Sequence, residues 1–478
     1  MKALSLLGAF GVLGLMSACA STSPKAALDE TSALVDARVG QKLATDDAET
    51  EERRRQVSAL LARDLTLENA VRVSLLANRE LQAEYEELGI AQAELVQAGL
   101  LKNPSFGATY DFPIDGSRPT FELSFVTELV QLLTLGARTR VAGSALAATK
   151  YRVASKVVEH VYEVKSGFYA VQAAQQTFSM RRIVRDASQV SVELARRQHE
   201  AGTMSDLDLA NEEALYAQMA TDFRRSQGEL TMTREHLTRL MGVWGKDAAW
   251  TVKDQLPELP AGEPSFEHLE SNAVAHRLDL AAAHKDIEVV SYALALAKNT
   301  RWTGGIDAGI DFHREAEGVR LFGPTVSVEL PLFDQGRATI ARIEAQLRQT
   351  KKREGALAVN VRSEVRELAA RLLVARGVVE DYRATVIPAR ERVVSFSQQQ
   401  YDAMLLGVYQ LLVAKQNEIN AYRDYIEALR DYWTLRAELG HKVGTSLPIS
   451  TAAPPASTPA PAQVPASKGS TGHDHHSP

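Results

Sequence analysis

The chain has 478 residues, of which 45% are hydrophobic, 24% charged and only 6% aromatic, with a formal net charge of −6. That balance is too mildly charged to gather on nucleic acid, so no nucleic-acid partner is expected. A single cysteine excludes an intramolecular disulfide, and the Ala- and Leu-rich composition points to one mainly helical architecture.

Met1-Lys2 supplies a short basic start, residues 3–15 an apolar stretch, and Ser17-Ala18-Cys19 a small-residue site ending in the cysteine. This run resembles the lipobox of bacterial lipoproteins, with Met16 where that motif usually has leucine. The resemblance implies a signal peptide over 1–18 and a lipid on Cys19, and Ala20 in place of aspartate implies the outer membrane as the address. No later run reaches the ~18 apolar residues of a transmembrane helix. Residues 19–64 read as a lipidated, extended segment or short helices on the outside of the body, with the charge run 49–55 as solvated surface.

Thr66 is placed to cap a helix. Apolar Leu67, Ala70, Val71, Leu75, Leu81, Leu88, Ala91, Leu95 and Ala98 then recur at helical spacing, predicting one helix of roughly 35 residues that Pro104 stops. Phe106, Ala108, Tyr110 and Phe112 alternate with polar or small residues, a turn follows at 113–116, and Phe121, Leu123 and Phe125 alternate with Glu122 and Ser124, as in an amphipathic β-hairpin. From Gly136 a long helix runs to about 201, a turn spans 202–205, and a returning helix covers 206–241. A Pro- and Gly-rich linker occupies 256–264.

The second half repeats the first at an offset of about 200 residues. His276-Arg277 answers Asn78-Arg79, Ile310-Asp311-Phe312 answers Tyr110-Asp111-Phe112, Glu364-Val365-Arg366 answers Glu163-Val164-Lys165, and Gly444 answers Gly242. The units are therefore 65–255 and 265–445, each a helix, a β-hairpin, a long helix and a helix, with a Pro-, Ala- and Ser-rich tail over 446–478 that reads as disordered. In the second unit Val326, Val328 and Leu330 share one strand face, opposite Ser327 and Glu329. After the turn Asp334-Gln335-Gly336 a helix-prone stretch runs from 337 to about 403, which at ~1.5 Å per residue is a rod of roughly 100 Å. Pro388, lacking an N–H, is expected to bend that rod. Matching lengths let the shorter helices stack end to end along the long one. Four strands per chain cannot close a membrane barrel, whereas two copies bring eight and three bring twelve.

With these features together the chain resembles the outer-membrane efflux protein family typified by TolC. The residues that carry the resemblance are Leu65-Thr66-Leu67-Glu68-Asn69-Ala70-Val71, the stretch from Gly323-Pro324 to Gly336-Arg337, and the ending over 421–444 with Asp431-Tyr432 and Leu439-Gly440. It covers roughly 65–444. It implies a homotrimer whose twelve strands form one barrel in outer-membrane lipid and whose helices form a periplasmic tunnel. That tunnel serves as exit duct for an inner-membrane pump of the resistance-nodulation-division type, joined through a periplasmic adaptor, the membrane fusion protein. At the tunnel tip the family's Tyr-x-x-Gly turn appears as His199 with Gly202 in the first unit and as Tyr401 with Met404 in the second. Gln410 and Val413 stand where acidic gate residues occur, so Asp208, tripled by symmetry, is the gate candidate.

If the apolar strand faces meet lipid, Asp111, Glu122, Asp307, Asp311 and Glu329 point into the lumen, and an acidic pore favours cations. The tail ends in His473, Asp474, His475 and His476, a set able to hold Cu(II), Zn(II) or Ni(II) transiently. With the acidic lumen it points to heavy-metal cargo, as in the Cus- and Czc-type branches. No resident cofactor is expected beyond the lipid, and no catalytic constellation or phosphate loop is present, so the chain reads as no enzyme. Two other readings stay open: the outer duct of a type I system secreting polypeptides, and a periplasmic coiled-coil scaffold lipoprotein.

Overall fold

A computed structural model describes residues 22–43, 51–114, 116, 118–253, 255–263, 265–445 and 447. Cys19 and the four residues His473 to His476 lie outside them. Before the first repeat come two short helices, α1 (Lys25–Val39) and α2 (Glu51–Leu61). Ala27, Leu28 and Val35 of α1 are buried, so this helix belongs to the body's packing.

The first unit departs from the expected single short helix. It contains α3 (Leu67–Ala77) and α4 (Arg79–Ala98), separated at Asn78. Thr66 does cap α3, its hydroxyl accepting from the Asn69 N–H at 3.2 Å. Asn78 ends α3 through its N–H to the Ser74 carbonyl and starts α4 by accepting from the Leu81 N–H at 3.0 Å. Its side-chain amide also donates to the Leu240 carbonyl at 2.9 Å, so the break is held from outside by the end of a later helix. Strands β1 (Ser105–Asp111) and β2 (Thr120–Glu128) follow, then α5 (Val130–Glu200) and α6 (Asp206–Met241). The long helix α5 thus begins ahead of Gly136, whose poor propensity of about 1 kcal/mol is overridden by the turns on either side.

A 3₁₀ turn (Gly245–Ala248) leads into the linker, and the second unit is α7 (Leu269–His276), α8 (Leu278–Thr300), β3 (Ile306–Arg314), β4 (Arg320–Val328), α9 (Arg337–Asp381), α10 (Ile387–Asp402) and α11 (Val408–Val443). Between α9 and α10 the chain does not leave the helix. Residues Tyr382–Val386 form a π turn in which the Ile387 N–H reaches the Tyr382 carbonyl, five residues back. This wider turn stands just before Pro388, where an N–H is missing, and accommodates the proline within one continuous rod.

Packing follows the repeat. In the first unit α3, α4 and α6 line up along α5; in the second α7, α8 and α11 line up along α9. The units are joined by α5 against α8 and α11. Val164 and Val365, at equivalent places in the two long helices, are both fully buried. The linker is no loose tether. Glu263 accepts from Arg376 at 3.2 Å and also pairs with Arg436 and the Tyr432 hydroxyl, while Trp433 donates to the Pro257 carbonyl at 2.8 Å. A carboxylate shared by the buried Arg436 and the half-buried Arg376 pins the linker to α9 and α11 of the second unit.

Candidate functional site

The four strands form one antiparallel sheet in chain order, β1-β2-β3-β4, with β2 and β3 joining the two hairpins. Residues directly opposite in an antiparallel ladder share a face, so the register assigns every side chain. Asp111 faces Thr120, Thr109 faces Glu122, Glu122 faces His313, Ser124 faces Asp311, and Glu128 faces Asp307. Asp311 continues to Gly323 and Asp307 to Ser327. Asp111, Glu122, Asp307 and Asp311 therefore lie on one face of the sheet.

The opposite face is apolar apart from Thr127 and the directly opposed Arg314 and Arg320 at the hairpin end. It carries Phe106, Ala108 and Tyr110 of β1, Phe121, Leu123 and Phe125 of β2, Ala308, Ile310 and Phe312 of β3, and Phe322, Pro324, Val326 and Val328 of β4. Phe106 is 69% exposed and Phe322 74%, values that place large apolar side chains in whatever surrounds the sheet. Pro324 costs little on β4 because that strand is an edge.

Two members of the polar face escaped the sequence reading. Glu128 lies past the residues read as the hairpin, although the alternation Glu122, Ser124, Val126, Glu128 runs on to it; His313 follows Asp311 at the same spacing. Glu128 and Asp307 stand directly opposite, a repulsive pair that Lys102, 3.6 Å from Glu128, partly offsets. Asp111 and Asp311 accept from the hydroxyls of Thr120 and Thr325. Glu329 corrects the expectation that placed it on the strand. With Leu330 it lies beyond β4, its N–H donating to the Gly305 carbonyl at 2.8 Å and its carboxylate accepting from the Gly305 N–H at 3.3 Å. It closes the helical end of the sheet.

At the far ends of the long helices the two turns are equivalent. Gly202 has φ +72° and Met404 φ +58°, and in each turn the residue donates three back while its successor donates five back. Met404 thus adopts the left-handed conformation that glycine holds in the first unit. Asp208 sits in the first turn of α6, its N–H donating to Ser205 Oγ at 3.1 Å and its carboxylate accepting from that hydroxyl at 2.7 Å. This is a helix cap, reinforced by His199 Nε2 at 2.6 Å from Asp206. Leu207, Met404 and Leu405 are exposed apolar side chains at these turns.

Among the described residues no helix is long and apolar enough to cross a membrane, and no cluster of metal-ligating side chains occurs. Residues 70–243 match the family model described as outer membrane efflux protein. Comparison with curated proteins finds no match. Among solved structures, the Campylobacter jejuni CmeC outer membrane channel superposes with a TM-score of 0.69 at 14% identity, over 88% of this chain and 92% of that one. The outer membrane protein VceC of Vibrio cholerae gives 0.65 at 17% identity over 80% and 96%. CusC, described with transmembrane channel formation, gives 0.68 at 15% identity over 80% and 92%. At these identities the likeness is one of fold. Residues 70–243 thus carry a likeness to the outer membrane efflux protein family, and the chain as a whole shares the fold of these outer-membrane channels.

Proposed function

We propose that the chain is one protomer of a homotrimeric outer-membrane channel, the passive exit duct of an efflux system. The observation that carries this reading is the two-faced sheet with both outer strands, β1 and β4, unpaired on one side. In hydrocarbon each unpaired backbone group costs several kcal/mol, so the apolar face and the open edges call for further copies that close a barrel. Three copies supply twelve strands, in line with the family resemblance. The helical rods then line a periplasmic tunnel, and their exposed apolar turns supply contacts for a periplasmic adaptor and, through it, an inner-membrane pump. Cys19 is proposed to carry the lipid that tethers the N-terminus to the same membrane. The acidic sheet face supports cations as cargo. Heavy-metal ions are the finer proposal, resting on the tail histidines.

Light scattering of the purified chain in detergent, combined with planar-bilayer recording, tests this reading. A protein mass of three chains and discrete conductance steps are expected. Cys19→Ala is expected to lose the lipid yet keep its need for detergent. A monomer soluble without detergent and silent in bilayers would instead make the chain a periplasmic scaffold.

A further inference from the structure

A cavity of about 170 Å³ lies where α1 meets α5 of the first unit and α11 of the second. Roughly 150 Å³ is enough to hold benzene, so there is room for one ring-sized molecule. The wall is chemically one-sided: Arg38, Lys165 and Arg436 line it, with no aspartate or glutamate.

Two of these cations are engaged. Arg38 donates to the carbonyls of His276 and Leu34, each at 2.9 Å, and Arg436 pairs with Glu263. Lys165 has no hydrogen-bond or ion-pair partner among the described residues, and burial pushes its ammonium below the ordinary lysine range. His441 is the second unsatisfied group, its Nδ1 buried without a partner. Aromatic surface completes the wall. Tyr162 stacks on His441 with ring centroids 5.5 Å apart, and Tyr169 stacks on Trp433 at the same separation. A half-buried cation without a partner and an orphan ring nitrogen beside aromatic walls are good ways to hold an anion with an apolar body.

We propose that this cavity binds a small amphipathic carboxylate. Lys165 takes the carboxyl group, His441 in its Nδ1–H tautomer donates a hydrogen bond to it, and the ring or branched chain lies against Tyr162, Tyr169 and Trp433. Lys165 belongs to α5 and His441 to α11, with Arg38 of α1 beside them, so the ligand ties the N-terminal helix and both units together. By mass action it stabilises that joint.

Benzoate is the probe, titrated into the full chain in detergent by calorimetry and followed by thermal unfolding. Saturable heat at one equivalent per chain and a rising Tm are expected, while benzylamine, the same ring with the opposite charge, has no effect. Lys165→Met abolishes the benzoate response with unchanged helix content by circular dichroism, and Lys165→Arg keeps it. His441→Gln, a second variant should Lys165→Met not fold, lowers affinity about fivefold, the equivalent of one hydrogen bond at about 1 kcal/mol. No saturable response to benzoate, an equal response to benzylamine, or full binding by Lys165→Met or His441→Gln overturns the proposal.

Discussion

Met404 holds a backbone conformation that an L side chain adopts at a cost of about 1–2 kcal/mol, and at 94% exposure its side chain recovers little of that by packing. Met404→Gly removes the strain and adds unfolded-state entropy, for a net gain of about 0.5–1 kcal/mol, read as a higher midpoint in chemical denaturation. The same substitution at an α-helical exposed methionine such as Met232 should destabilise, which is the control. The sequence shows Met404 where the family turn has glycine; that the turn keeps its left-handed form regardless is visible only in the backbone. His441 supplies a second test. Burial, with Lys442 and Arg277 nearby, lowers its pKa from 6.5 to about 4, against opposing pulls from Glu159 and Asp279. The unfolded chain therefore takes up this proton near pH 6.5 and the folded chain only near pH 4. Stability is complete above 6.5 and declines as pH falls to about 4, by at most about 3 kcal/mol. His441→Phe keeps a ring on Tyr162 and should flatten the unfolding midpoint across that interval; an unchanged slope would mean that other groups carry the acid sensitivity. Nothing in the sequence marked this histidine, because its state depends on burial between two helices.

At the scale of elements, the helix–hairpin–long helix–helix order and the bounds of α6 were legible from periodicity and from the glycine and serine at its ends. The break at Asn78 was not. Apolar spacing runs through residue 78 without a fault, and the interruption comes from elsewhere in the chain: Gly242, with φ +70°, lies so near that a Cβ on it would stand 2.5 Å from the Asn78 Cα. Asn78-Arg79 and Gly242 each had a counterpart in the second half, but the sequence did not say that the pairs touch. They do so in both units, since Gly444, φ +79°, stands against His276 and Arg277 with a looser fit, a Cβ there meeting backbone at 3.1 Å. Graded effects follow from these distances. Gly242→Ala combines left-handed strain with a backbone clash and should cost more than about 2 kcal/mol, whereas Gly444→Ala should cost about the 1–2 kcal/mol of the strain alone. Thermal unfolding of the two variants ranks them, and equal losses would mean that the helix break does not depend on this close approach. The π turn before Pro388 shows the same limit: the proline announced a local disturbance, while the long continuous packing of α9 and α10 against α11 selected a widened turn as its form.

At the scale of the whole molecule, the sheet's division into an acidic and an apolar face is the property most fully written in the sequence, because a period of two needs no tertiary information. What the ladder adds is neighbourhood. Asp111, Glu122, Glu128, Asp307 and Asp311 share a face on which His313 is the one basic side chain, and Glu128 meets Asp307 across β2 and β3, at the seam between units. In the barrel of three chains proposed above, that seam recurs three times around the lumen and its carboxylates form a ring. A ring of fixed negative charge concentrates cations within it and repels chloride. Asp307 is the residue to test, since Asp311 and Asp111 are engaged by threonine hydroxyls and Glu128 by Lys102. Asp307→Asn keeps size and relieves repulsion with Glu128, so stability should hold or rise. Cation preference in a KCl gradient, read from the reversal potential, should fall by roughly twofold or more. A reversal potential equal to that of the unaltered channel would place the selecting charge elsewhere, with the helix turns around Asp208 next in line.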